Sequence, residues 1–188
     1  MNDISAYILA GGKSTRMGSN KGLLPLNGSF FAELIVKALK AASIENITIV
    51  SGTEAYDALN CNRIQDIYPN KGPVGGIFTA LSHSKTKQNI LLSVDIPLIS
   101  EEVIQWLIKN RAVDKKITQV KVLEKTNPLI AIYDQELVSV FEKHLLKDQL
   151  KLQMVVDEIP HQTIEAPEVW CPLLQNINTK EDYQNLIR

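Results

Sequence analysis

The chain has 188 residues, of which 45% are hydrophobic and 22% charged, and its formal net charge is −1. That size allows one ordinary globular domain with a substantial core. The near-neutral balance excludes a global field favouring nucleic acid or an anionic membrane surface. Cys61 and Cys171 are far apart and lack metal spacing, so each reads as a buried thiol outside any disulfide. No basic segment with a long apolar stretch opens the chain, and no apolar run is long enough for a bilayer. The expectation is a soluble, cytoplasmic protein with neither nucleic acid nor membrane as partner.

Strand and helix patterns alternate along the first half. Residues 4–10 (ISAYILA) read as a buried strand that ends at Gly11-Gly12. Residues 30–42 place Phe31, Leu34, Ile35, Ala38 and Leu39 at helical spacing. Residues 46–51 read as a second strand and 62–67 as a weaker third. GPVGG, 72–76, reads as a loop leading into a helix, IFTALSHS. Residues 89–95 (NILLSVD) read as a continuous apolar strand ending on Asp95. A helix then starts at Ser100 as N-cap, with Glu101 and Glu102 in its first turn. In the second half, 116–125 and 127–133 pair as strands. Residues 136–146 and 148–159 read as helices, followed by a short strand near HQTIEA and a final helix, KEDYQNLI. The order predicts an α/β chain with a mainly parallel central sheet and helices on both faces. No repeat and no linker divides it.

The loop after the first strand, LAGGKSTRMGSNKGLLPL, raises the chemical question. Gly12-Lys13-Ser14 looks like the end of a Walker phosphate loop, but that motif needs a glycine where Tyr7 stands. The dinucleotide fingerprint fails as well, because Gly11, Gly12 and Gly18 have the wrong intervals. Three glycines and three cations (Lys13, Arg16, Lys21) after a strand still suit a polyphosphate. The plain alternative is a glycine turn with solvated cations. In open α/β sheets ligands bind outside the carboxyl ends of the strands, so Gly11–Lys21, Asp66–Gly76 and Asp95–Leu98 are the candidate loops. Asp95, followed by Ile96-Pro97, is a candidate hard oxygen ligand for Mg²⁺ beside phosphates. Asp66 reads as a ribose or base contact, or as a turn residue. His83, His144 and His161 show no pairing, and no nucleophilic triad stands out.

LAGG-KSTRMG-SNKGLLPLNG, then Asp66 and GPVGGI, then VDIP, NPLIAIY and QNINTKED, occur in an order that spans nearly the whole chain. Together they resemble the molybdenum cofactor guanylyltransferase family, within the wider nucleotidyltransferase superfamily. The resemblance implies a three-layer Rossmann-like nucleotidyltransferase fold as one domain. Its N-terminal half would bind GTP and its C-terminal half the acceptor. It implies transfer of GMP from GTP to molybdenum-loaded molybdopterin, with Mg²⁺ as cofactor, and proteins that deliver molybdopterin or receive the product as partners. By the same resemblance Leu9, Ala10 and Gly11 would hold guanine through their backbone. Lys21 would meet the phosphates, Arg16 would stabilise charge, and Asp66 would contact the nucleoside. Asp95 would hold Mg²⁺ and GTP, and Asn176 and Asn178 would lie on the acceptor side. The chain departs from the family pattern at Lys180, Val94 and Ser29-Phe30-Phe31, and at Ser51 where a nucleoside-contacting asparagine is usual. Two alternatives stay open within the enzyme class: a cytidylyltransferase of the same cofactor, whose relatives tend to read LAAG, or a sugar-phosphate nucleotidyltransferase. A third is a non-catalytic nucleotide-binding partner protein.

Overall fold

The computed structural model describes residues 4–11 and 20–187. All six residues of β1 (Ile4–Leu9) are buried, as a strand covered on both faces requires. Successive side chains point to opposite faces. Ile4, Ala6 and Ile8 enter one apolar cluster with α1 (Phe31–Ala41) and α3 (Glu101–Asn110). Tyr7 and Leu9 enter a second cluster with α2 (Gly72–His83), α4 (Val138–Leu146) and α5 (Leu152–Asp157). The result is three layers, helices on both faces of one sheet.

The other strands are β2 (Pro25–Leu26), β3 (Ser29–Phe30), β4 (Ile47–Val50), β5 (Asn62–Ile64), β6 (Gln88–Ser93), β7 (Ile117–Val122), β8 (Lys125–Asp134) and β9 (His161–Glu165). The seven-stranded sheet has the order β5-β4-β1-β6-β8-β7-β9. Only β8 runs against its neighbours, β6 and β7. The register sets the working edge of the sheet. Leu9 lies opposite Val50 on one side and Ser93 on the other, and Val50 lies opposite Ile64. The carboxyl ends of β1, β4, β5 and β6 are therefore level, and the segments that follow them open on one edge. β2 and β3 form a separate two-stranded hairpin. It turns at Asn27-Gly28, both with positive φ (51° and 79°), as a two-residue hairpin turn demands.

The structure corrects several expectations. Residues 72–76 are the first turns of α2, not a loop before it. Gly76 is the reason a glycine is kept there: a Cβ would stand 3.3 Å from both terminal carbons of Leu9, so the helix lies close on β1. The expected helix over 148–159 is confined to Leu152–Asp157, and the third strand to Asn62–Ile64. Ser100 occupies the N-cap of α3, but its hydroxyl makes no capping bond. Cys61 and Cys171 are free thiols, half-buried rather than fully buried. No helix among the described residues is long and apolar enough to cross a membrane. A last helix, α6 (Lys180–Leu186), follows the 176–179 segment.

Candidate functional site

A cavity of about 720 Å³ opens at the level strand ends. Leu9, Ala10 and Gly11 enter it from β1, Ser51 to Thr53 follow β4, and Gln65 and Asp66 follow β5. Ser93 closes β6, and Leu129 reaches in from β8. Gly72, Pro73 and Gly76 bring the first turns of α2 to the rim. The unpaired N–H groups and positive dipole end of a helix start favour an anion nearby. Backbone bonds tie the strand ends together. Ala10 N–H donates to the Val50 carbonyl (3.0 Å), Ser51 N–H to Ile64 (2.9 Å) and Val94 N–H to Leu9 (3.2 Å).

Asp66 is half-buried, and burial pushes its carboxyl above the ordinary aspartate range. Its place is fixed through the next residue, whose N–H donates to Thr79 Oγ1 on α2 at 3.0 Å. Gly11 faces it closely: a Cβ at position 11 would lie 2.8 Å from Asp66 Oδ2. Only glycine leaves this carboxylate where it is. The alanine of an LAAG sequence would force it aside.

The remaining expected residues gather beside the cavity rather than in its wall. Lys21 follows Asn20, which lines the cavity, and Asp95 lies two residues past Ser93. Lys21 Nζ donates to Asn178 Oδ1 at 2.6 Å. Ile177 N–H donates to the Asp95 carbonyl at 2.8 Å, so residues 176–178 run along the backbone of Asp95. Asn176 Oδ1 accepts from Asn127 Nδ2 at 3.4 Å. Lys21, Asp95, Asn176 and Asn178 thus come together, joined by Asn127, although residues far apart in sequence supply them. Arg16, with Lys13 and Gly18, lies outside the described residues.

Asp95 Oδ1 is buried and has no hydrogen-bond partner among the described residues. An orphaned carboxylate oxygen is costly unless a donor or cation meets it, so this atom fits a divalent cation. Among the described residues, no three His, Cys, Asp or Glu side chains gather into a ready metal cage. A Mg²⁺ ion held by one carboxylate and phosphate oxygens needs no such cage.

One cluster has no counterpart among the sequence expectations. Tyr56 is fully buried, and its hydroxyl donates to Asn20 Oδ1, which also accepts the Gly22 N–H at 3.3 Å. Asn20 Nδ2 donates to Thr53 Oγ1 at 3.3 Å. Burial pushes the Tyr56 phenol up to about 12, so it remains a donor at neutral pH. Both neighbours of Lys21 are thereby anchored to the segment after β4. Nothing local marks Tyr56 for this role. Asn127 is visible inside NPLIAIY, but its pairing with Asn176 is not.

Residues 6–163 match the family model described as the MobA-like NTP transferase domain. A Flavobacterium johnsoniae protein named "Probable molybdenum cofactor guanylyltransferase" is 38% identical, covering 99% of this chain and 97% of its own. A protein of the same name from Clostridium perfringens strain 13 is 36% identical over 98% of this chain and 96% of its own. Among solved structures, "Molybdopterin-guanine dinucleotide biosynthesis protein A" from Archaeoglobus fulgidus superposes with a TM-score of 0.82. It shares 20% identity, over 97% of this chain and 96% of that one.

Proposed function

Because this chain belongs to the MobA-like NTP transferase family, we infer that it transfers GMP from GTP to the terminal phosphate of molybdenum-loaded molybdopterin, releasing pyrophosphate. The product is the guanine dinucleotide form of the cofactor. One observation carries the reading: four level strand ends converge on a cavity walled by Leu9, Ala10, Gly11 and Asp66. Family membership gives that cavity its substrate.

The nucleotide lies along this edge, with guanine against the backbone of Leu9 to Gly11 and the nucleoside against Asp66. Lys21 and Arg16 offset charge on the phosphates. The N-terminal half of the chain carries the nucleotide, and the C-terminal half presents Asn176 and Asn178 to the acceptor. Asp95 is the residue that would hold Mg²⁺, through the buried oxygen that lacks a partner among the described residues. When bound, the ion supplies positive charge at the phosphate oxygens. The attacking phosphate oxygen of molybdopterin is already ionised, so no residue need act as general base. It bonds to the α-phosphorus as the bond to pyrophosphate breaks. The protein contributes placement and electrostatic stabilisation, which together account for most of the catalysis in phosphoryl chemistry. The compartment that fits such an enzyme is the cytoplasm.

The test is a nucleotide panel with Mg²⁺ and molybdopterin: GTP, CTP, ATP and UTP, with pyrophosphate release as the readout. GTP-dependent release is expected. Preference for CTP would assign the chain to the cytidine branch, and binding without release would make it a non-catalytic partner.

A further inference from the structure

Lys21 and Asn178 are 157 residues apart in sequence, yet their side chains meet at 2.6 Å. Asn178 is itself held. Its N–H donates to Asp182 Oδ2 at 2.9 Å, and the same oxygen takes the Thr179 N–H at 2.8 Å. Thr179 Oγ1 accepts the Asp182 N–H at 3.0 Å, closing a capping box at the start of α6. On the other side of Asn178, Ile177 is buried against Leu26 and Phe31. The asparagine therefore stands on a short segment pinned at both ends.

We propose that Asp182 is a positioning residue for the phosphate-binding lysine: through Asn178 it fixes where the Lys21 ammonium stands. A carboxylate that accepts two backbone N–H groups is a firm anchor. These bonds hold the Asp182 carboxyl below its ordinary range, so it is ionised across the neutral region. Lysine carries its charge on a flexible four-carbon stem, and a ligand that must order this stem binds less tightly. An ammonium has three N–H donors. One is committed to Asn178, which leaves two for phosphate oxygens. The inference rests on the reading of Lys21 as a phosphate contact given above.

A plain helix-capping role for Asp182 makes a different forecast, and variants of the full chain separate the two. GTP affinity is measured by calorimetry at fixed Mg²⁺, with thermal melting alongside. Asp182→Ala should raise the GTP Kd roughly 3- to 10-fold, the scale of one lost hydrogen bond. Asp182→Asn serves in its place if the alanine variant fails to fold, and Asp182→Glu should restore tight binding. Thr179→Ala removes the other half of the capping box while leaving Asn178 bonded to Asp182. It should lower the melting temperature and leave the GTP Kd unchanged. Adding Asp182→Ala to Lys21→Ala should weaken binding no further than Lys21→Ala does alone. Wild-type affinity in Asp182→Ala, additive losses in the double variant, or an equal loss in Thr179→Ala would each overturn the proposal. Normal GTP binding by Lys21→Ala would instead remove the phosphate role of that lysine, and the positioning role of Asp182 with it.

Discussion

Asp66 sits in the cavity wall with its carboxyl pushed up by burial, so ionising it costs the folded state something. Its folded pKa lies above the unfolded value, so the folded state binds the proton more tightly. Stability therefore falls as pH rises from the unfolded pKa through the folded one, and the penalty is fully present above both. Asp66→Asn should raise the melting temperature at pH 7, and the gain should vanish as pH drops below the ordinary aspartate range. GTP turnover should fall in the same variant. Melting curves against pH with parallel rate measurements check it, and a pH-independent shift would contradict the cause given. Asp95 makes the opposite kind of prediction. Asp95→Asn removes a charge from the strand-end edge while keeping shape, and guanylyl transfer should fall by at least ~10²-fold. The fold should survive, and the Mg²⁺ dependence of GTP turnover in the two proteins tests the assignment. Asp95 is legible in the sequence because it follows an apolar strand, which is a local pattern, whereas Asp66 follows a short polar strand that marks it only weakly. Tyr56 is not legible, because its contact with Asn20 spans 36 residues and exists only once β1 and β4 pair.

At the scale of elements, α2 shows where local propensity misleads. Glycine and proline disfavour helix interiors, so GPVGG reads as a loop. Pro73 instead falls in the first turn, where its missing N–H costs nothing. Gly76 is chosen for contact with β1 rather than for helicity. Gly76→Val should add methyl groups where a single carbon already meets Leu9 at 3.3 Å. The helix must then lift from the strand, at a cost of about 1–3 kcal/mol. Urea unfolding measures that loss. A weaker grip on GTP should accompany it, because Leu9 and Gly76 border the same cavity. The β2–β3 hairpin shows the reverse case. Asn27-Gly28 is a strong turn signal, yet the glycines and cations just before it draw attention to phosphate chemistry and hide the hairpin.

For the whole molecule, the mainly parallel sheet is legible from alternating strands and helices, but the order of its strands is not. β8 takes the place beside β6 ahead of β7, a choice made by long-range pairing. The closure of the C-terminal segment onto the hairpin is equally long-range. Ile177 packs on Leu26 and Phe31, and Tyr183 Oη donates to the Pro25 carbonyl at 2.7 Å. Ile177→Ala should cost about 2–5 kcal/mol and weaken GTP binding too, since the segment carries Asn178. Calorimetric melting and GTP titration of the one variant test both halves. The same closure has a consequence for how the protein is made. Translation delivers Lys21 early and Asn178 157 residues later. A nascent chain can therefore pair β1 with β4 and β6, and β4 with β5, long before the lysine has its partner. A polypeptide released by ribosome stalling ahead of residue 176 has the residues that line the strand-end cavity but lacks the segment that meets Lys21. Aborted synthesis thus yields no fragment that holds both halves of the Lys21–Asn178 pair.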